Sequence, residues 1–166
     1  MESKLIYAFL LLMVMHGEAF SQNLLKVDVA VNCKNVGEIN LTATNEGVYF
    51  KIHESQLPWN SSGSIISNAY EVEDGASIKL KNVSMVADYL DEVAFASGQS
   101  RSGRIRLKSR FLDFGENNNA DYFIFFNFEK NLGVGNFALK GGRGVIFIPK
   151  KGLLGRACPT VVYEDR

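Results

Sequence analysis

Apolar and polar residues alternate along most of this chain, beginning in the stretch KVDVAVN. Val27, Val29 and Val31 alternate there with Lys26, Asp28 and Ala30. Successive side chains of a β-strand point to opposite faces, so this spacing predicts a strand with one buried and one solvated face. The sequence therefore begins its ordered part as a sheet protein.

The same period of two recurs in short stretches separated by turn residues. The further predicted strands are 38–44, 47–53, 77–80, 92–96, 104–111, 122–128, 137–140 and 145–149. The glycines that join the last two predict a hairpin, whereas 54–74 predicts a long loop with at most one short strand. A helix of two turns is predicted only for 85–93.

About ten short strands with scarcely a helix indicate an all-β fold. We expect a single-domain antiparallel β-sandwich of jelly-roll-like type, with a closed β-barrel as the alternative. No linker, repeat or low-complexity tract divides the chain.

The first 21 residues have the order of a secretory leader. Lys4 precedes an apolar run over 5–15, which is too short to span a bilayer, and small residues follow at Ala19 and Ser21. We expect a signal peptide over 1–21, a single β-sandwich domain over 22–166, and a secreted, extracellular protein without a transmembrane segment.

Charge is almost balanced in the expected mature chain. The whole chain has 18 basic and 18 acidic residues, and the leader removes Lys4, Glu2 and Glu18, so 17 minus 16 leaves a net charge of +1. A dedicated nucleic-acid binder is expected to be strongly basic, so nucleic acid is not a predicted partner.

Cys33 and Cys158 are the two cysteines of the chain and predict one disulfide in an oxidising compartment. Such a bridge stabilises the fold by about 4 to 5 kcal/mol in the chain-entropy model. It also requires the first and last strands to be neighbours. Cys33 is in phase with the preceding valines, which predicts that the bridge points into the core.

Asparagine sequons occur at three positions of the expected mature chain. Asn40, Asn60 and Asn82 each begin an N-x-[ST] triplet. Together with the leader they predict an N-glycosylated protein, with a glycan on Asn40 facing water.

The stretch GRIRLKSRF places a cation at every second position, namely Arg104, Arg106, Lys108 and Arg110. In a strand all four would lie on one face and repel each other, so a counter-charge is expected. It could come from a neighbouring acidic strand or from a ligand such as a sulfated glycan, an acidic lipid headgroup or a microbial polyanion. The candidate acids for a strand beside the basic stripe are Glu71, Glu73 and Asp91. The candidate ligand contacts are the stripe, the loop around Trp59 and the loop DFGENNNAD over 113–121.

The stretch YFIFFNF is apolar on both faces, which is typical of a strand buried on both sides. The alternative is that Phe123 and Phe125 line a ligand cavity or form an association patch.

The segment DFGENNNAD suggests one metal. Asp113, Asn117, Asn119 and Asp121 offer side-chain oxygens, which calcium prefers, although the spacing is not that of an EF-hand. No cofactor other than calcium is expected.

Catalysis is not expected, because His53 is the only histidine left after the leader and both thiols are used by the disulfide. The predicted function is a secreted, N-glycosylated extracellular binding or interaction protein that recognises glycans, other anionic surfaces or a protein partner. The alternatives are a small apolar ligand carrier with a barrel cavity and a self-associating structural or matrix protein. The sequence leaves the oligomeric state open.

Overall fold

The computed structural model describes residues 23–60, 64–83, 91–127, 137–140, 143–150, 152, 154 and 157–164. Within these residues no helix is long and apolar enough to cross a membrane. The predicted signal peptide and most of the predicted helix over 85–93 lie outside the described residues, and the extent of the domain stays a prediction.

Eleven strands are described, each four to nine residues long. The first six are β1 (Asn23–Val31), β2 (Glu38–Asn45), β3 (Phe50–His53), β4 (Ile66–Glu73), β5 (Ala76–Lys79) and β6 (Glu92–Phe95). The others are β7 (Ser100–Arg106), β8 (Asp121–Asn127), β9 (Phe137–Lys140), β10 (Arg143–Ile148) and β11 (Thr160–Tyr163). One turn of α-helix, α1 (Leu107–Arg110), follows β7, and a 3-10 turn (Glu54–Gln56) follows β3.

The strands form a four-stranded sheet of order β7-β2-β1-β9, a five-stranded sheet of order β11-β10-β8-β4-β5, and a two-stranded ribbon of β3 and β6. Pairing is antiparallel except between β1 and β9. The prediction of an all-β antiparallel sandwich is confirmed. The alternative of a closed barrel is wrong, because the sheets are not closed.

The alternation predicted for β1 and β2 decides which side of the four-stranded sheet is buried. Val27 and Val29 are buried while Asp28 is exposed, and β2 repeats the pattern with Ile39 and Leu41 buried. The five-stranded sheet buries one face of β8 in the same way. These side chains belong to one hydrophobic core cluster.

The predicted hairpin of 137–140 with 145–149 is wrong. β9 joins the four-stranded sheet parallel to β1, while β10 joins the five-stranded sheet beside β8. β9 and β10 therefore belong to different sheets, although only two residues separate them along the chain.

One strand of the five-stranded sheet was not predicted, and another is longer than predicted. β11 has no predicted counterpart, whereas β4 has eight residues where the sequence allowed one short strand within the loop over 54–74. β4 has no clean alternation, because its pairing with β8 shifts between Ile66 and Asn68 and several of its side chains are only half-buried.

The predicted disulfide between Cys33 and Cys158 is confirmed, with the two Cα atoms 4.7 Å apart. It links the turn after β1 to the start of β11, and the Tyr163 hydroxyl of β11 donates to the Val29 carbonyl oxygen of β1 over 3.3 Å. The predicted inward direction is wrong, since β1 ends at Val31 and both cysteines are exposed.

Candidate anion-binding cleft

The basic stripe does not lie on one continuous strand. β7 ends at Arg106, and the amide of Phe111 donates to the carbonyl oxygen of Leu107 over 2.8 Å to close one helical turn. Leu107 and Phe111 are both buried, and residues four apart share one face of a helix. The prediction of a strand over 104–111 is therefore wrong beyond Arg106, where one helical turn buries Leu107 and Phe111 together.

The first two cations of the stripe share a single carboxylate from the neighbouring strand. Glu38 of β2 lies 3.4 Å from Arg104 and 3.8 Å from Arg106. The arginine side chains remain 60% and 66% exposed, whereas that of Glu38 is 13% exposed. Ion pairs this exposed stabilise a fold only weakly, so both guanidinium groups stay available to a ligand.

The turn between β1 and β2 brings a further cation to the same place. The Asn32 side chain accepts from the Lys34 amide over 2.8 Å, and the Glu38 amide donates to the Asn35 carbonyl oxygen over 3.1 Å. The disulfide of Cys33 holds the turn from its other side. The backbone that carries Lys34 is thus fixed by hydrogen bonds and by a covalent link.

These segments enclose a cleft of about 610 Å³. Its walls are the β1–β2 turn over 33–38, the cations of β7 and α1, and residues 114, 115 and 118. The cations that line it are Lys34, Arg104, Arg106 and Lys108. Glu38 is the one acid among the lining residues, so the cleft carries four positive charges against one negative charge.

Arg110 is separated from the other three cations of the stripe. Its side chain is half-buried and does not line the cleft, while its carbonyl oxygen accepts from the Val83 amide over 2.8 Å. Burial lowers the pKa of the Arg110 guanidinium. Three of the four predicted cations therefore meet at the cleft, whereas the fourth, Arg110, is half-buried outside it.

Trp59 lies on the other side of β7 from the cleft. A Cβ atom on Gly103 would overlap the indole ring, so the ring lies directly against the strand backbone. Trp59 is half-buried and packs against the hydrophobic core. Because neighbouring residues of a strand face opposite ways, the ring and the Arg104 side chain are on different faces.

The acids considered as neighbours of the stripe lie elsewhere. Glu71 and Glu73 are in β4 of the five-stranded sheet, and Asp91 precedes β6. The Asn117 side-chain amide donates to the carboxylates of Glu71 and Glu73 over 3.0 and 2.7 Å. The stripe is therefore paired with Glu38 and not with the acids that the sequence suggested.

The predicted calcium ligands have other hydrogen-bond partners. The Asn117 side-chain oxygen accepts from the Asn119 amide over 2.9 Å, and an Asp121 carboxylate oxygen accepts from the Lys150 amide over 2.5 Å. Asp113 is half-buried, and its carbonyl oxygen accepts from the Glu116 amide. Within the described part of the chain no group of three or more His, Cys, Asp or Glu residues is placed to hold a metal ion. The calcium site stays a prediction.

The three sequon asparagines have different surroundings. Asn40 is half-buried in β2 and lies opposite Arg104, whereas Asn82 is exposed and forms an isolated bridge with Phe111. The side-chain nitrogen of Asn60 donates to the Glu54 carbonyl oxygen over 2.6 Å. Glycosylation at all three positions stays a prediction.

Phe123 and Phe125 lie on the outer face of β8 and do not line an enclosed barrel cavity. Tyr122, Ile124 and Phe126 occupy the buried face of the same strand. Phe125 is 42% exposed, and Phe123 is half-buried. The prediction that the strand is buried on both sides is therefore wrong for Phe125.

Sequence reasoning missed Lys34 and Glu38 as parts of the cleft. Lys34 lies in the turn between β1 and β2, and Glu38 is the first residue of β2. The signal in the sequence was the group of polar residues in that turn, Asn32, Lys34 and Asn35. What the sequence lacked was the pairing of β2 with β7, which sets Glu38 opposite Arg106.

The geometry defines an open antiparallel β-sandwich with a cationic cleft at one end of its four-stranded sheet. No protein-family model matches the chain, and comparison with characterised proteins and with solved structures finds no match either.

Proposed function

We propose that this chain is a secreted, N-glycosylated binding protein of the extracellular space that recognises anionic glycans through the cationic cleft. The observation that carries the proposal is the meeting of Lys34, Arg104, Arg106 and Lys108 around one cleft with Glu38 as its one acid. Four cations against one carboxylate leave a local excess of positive charge in a chain of balanced composition.

The chemistry of the cleft suits sulfate and carboxylate groups carried on a larger molecule. Guanidinium groups donate two parallel hydrogen bonds to such anions, and an ammonium group supplies a compact charge. The backbone positions of Arg104 and Arg106 are about 6.6 Å apart, which favours a ligand with several anionic groups over one small anion. The side chains of Asn35 and Asn118 add amide donors and acceptors for sugar hydroxyls.

Two further features are compatible with an extracellular location. The disulfide between Cys33 and Cys158 is of the kind that persists in oxidising compartments. The exposed position of Asn82 leaves that asparagine accessible for a glycan.

The proposal is tested by the retention of the secreted protein on immobilised heparin, with the double variant Lys34→Gln/Lys108→Gln. Loss of two charge-assisted contacts is expected to weaken binding about tenfold or more and to lower the salt concentration at elution. The matched control is Lys51→Gln/Lys79→Gln, which removes the same charge from β3 and β5, away from the cleft. Equal loss in both double variants would show a general charge effect and would contradict the cleft as the site.

A second double variant tests the two arginines of the cleft, and competition with desulfated heparin tests the recognition of sulfate. Arg104→Gln/Arg106→Gln is expected to abolish retention on heparin at physiological salt while thermal unfolding stays near that of the unchanged protein, because both side chains are exposed. Binding that is competed by desulfated heparin as well as by heparin would overturn sulfate recognition. Unchanged retention would overturn the proposed function.

A further inference from the structure

The outer face of the five-stranded sheet carries an uninterrupted group of apolar side chains. Cross-strand partners lie on the same face, and the register of β4, β8, β10 and β11 places seven such residues together. They are Tyr70, Val72, Phe123, Phe125, Val145, Phe147 and Val162, and we call them the aromatic face. The surface is separate from the cationic cleft, which lies on the other sheet.

Ring contacts fix the shape of the aromatic face. The rings of Tyr70 and Phe125 meet edge to face with centroids 5.8 Å apart, and those of Phe123 and Phe147 are 5.0 Å apart. A groove of about 450 Å³ runs between β4 and β8 beside Phe125. The rings already support each other, so a partner would meet an ordered surface and lose less conformational entropy on binding.

The aromatic face is not needed for the interior core. The buried side of β8 consists of Tyr122, Ile124 and Phe126, which are at most 2% exposed. Phe125 and Val162 on the other side are 42% and 54% exposed. Contiguous apolar surface of this kind on a soluble protein marks an interaction site.

We propose that the aromatic face is the interface of a two-fold symmetric homodimer. The seven residues are uncharged, and the charged residues at their edge have both signs, with Lys79 beside Tyr70 and with Asp121 and Arg143 at the two ends of β8. A second copy of the chain supplies an apolar surface of the same kind with a rim of complementary charge. Two sheets pack face to face at about 10 Å with their strands nearly aligned. A two-fold axis requires only that the surface be complementary to itself.

Charges at the two ends of β8 choose the direction of the axis. Asp121 begins the strand, and Arg143 pairs with Asn127 at its other end. An axis that lies across the strands sets Phe123 over Phe125 of the second copy and brings Asp121 near its Arg143. An axis along the strands would instead set each Asp121 over its own counterpart, where like charges repel.

The size of the face sets the expected strength. The four strands β4, β8, β10 and β11 at about 4.8 Å and four residue steps at about 3.3 Å give a projected area of roughly 250 Å² for each copy. This is below the roughly 800 Å² per partner of a stable complex. The dimer is therefore expected to be weak and to dissociate on dilution.

The test is sedimentation velocity of the secreted protein from 1 µM to 1 mM, with Phe125→Asp and Val162→Asp as variants. Leu112→Asp is the matched control, because Leu112 is 62% exposed and lies outside the aromatic face. The unchanged protein and the control are expected to shift from monomer to dimer, and the two variants to stay monomeric. Val162 is on the edge strand β11, so its variant keeps the test valid if Phe125→Asp does not fold.

Charge exchange then tests the orientation. Asp121→Arg and Arg143→Asp are each expected to weaken the dimer at least threefold, and the double exchange to restore it. A monomeric unchanged protein at 1 mM, or dimers of undiminished strength in both aromatic-face variants, would overturn the proposal. A monomer that binds a fluorescent apolar dye at the aromatic face would also overturn it and would favour a small-ligand site. None of these results bears on heparin binding, which depends on the other sheet.

Discussion

The outer faces of the two sheets differ although their inner faces are alike. Hydroxyl pairs join β2 and β7 on the four-stranded sheet, where Thr42 contacts Ser102 over 3.0 Å and Thr44 contacts Ser100 over 2.8 Å. The corresponding surface of the five-stranded sheet is the aromatic face. Both inner faces contribute to the same apolar core. The comparison shows that alternation specifies the fold through its buried side, while the composition of the other side distinguishes the surfaces.

The difference is concentrated in β7 and β8. β7 combines a buried Ile105 with cations on its outer side, and β8 combines a buried Ile124 with rings on its outer side. A charged outer face is favourably solvated, whereas an apolar outer face is expected to be covered by a binding partner. The two proposed interactions therefore use opposite sides of one sandwich and do not compete.

Breaking the disulfide with Cys33→Ser/Cys158→Ser should have the largest effect on the free energy of unfolding. It should also weaken heparin binding at the cleft more than association through the aromatic face. The bridge closes a loop over a separation of 125 residues, so the free energy of unfolding is expected to fall by about 4 kcal/mol in the chain-entropy model. Urea unfolding measures this loss. Heparin retention should fall as well, because the turn that carries Lys34 loses its covalent link.

Dimer formation is the internal control for the disulfide variant. The aromatic face contains no residue of the β1–β2 turn, so the folded fraction should still dimerise. A variant that keeps full heparin retention would show that hydrogen bonds alone hold the turn.

The two sides of β7 can be separated with Gly103→Ala. A Cβ atom there would overlap the Trp59 indole, and overpacking of this kind costs roughly 1 to 3 kcal/mol. Thermal unfolding measures the cost. Gly37→Ala is the control, since a Cβ atom there would meet Phe114 at an ordinary 3.8 Å. Equal stability of the two variants would contradict the packing of Trp59 against the strand.

The fold was largely predictable, because burial imposes the period of two wherever one face is solvated. β2 shows this, since its inward and outward residues follow the prediction without exception. β4 could not be recognised, because its pairing shift and its half-buried outer residues remove the alternation. The placement of β9 and β10 in different sheets could not be predicted, because the glycine-rich sequence between them is equally typical of a hairpin.

The candidate site was predictable only in part. Arg104 and Arg106 follow from the spacing of the cations, whereas the helical turn after them could not be predicted, because residues four apart share a face in a strand as well as in a helix. Lys34 comes from a turn that is distant in sequence. Its position beside the stripe results from pairing between β2 and β7, which a single sequence does not reveal.

Alkaline pH offers a probe of the buried side of β8, opposite the aromatic face. Burial, followed by repulsion from the Glu71 carboxylate, raises the pKa of Tyr122 from 10.0 to about 12. The folded state therefore holds the phenol proton more tightly than the unfolded state. Stability from this group is complete below pH 10 and is lost as the pH rises through about 12.

The loss should reach roughly 1 to 2 kcal/mol in the free energy of unfolding, measured by urea titration between pH 9 and pH 12. Tyr122→Phe should flatten this dependence, because it removes the one hydroxyl that lies within hydrogen-bond distance of Glu71 and of the Asn117 carbonyl oxygen. Tyr49→Phe is the control, because Tyr49 is 59% exposed. The same alkaline dependence in Tyr122→Phe as in the unchanged protein would contradict the assignment.

The smallest effect is expected from Glu38→Gln, which removes the one acid that lines the cationic cleft. The fold should lose less than about 1 kcal/mol, because the arginines that Glu38 pairs with are mostly exposed. Heparin affinity should rise about two- to fivefold, since a competing anion is gone. Glu92→Gln, which removes an equal charge from the Lys51 pair in the two-stranded ribbon, should leave affinity unchanged. If Glu38→Gln instead weakens heparin binding, the Glu38 carboxylate orients Arg104 and Arg106 for the ligand. This orienting effect would then exceed the repulsion between the carboxylate and the bound anion.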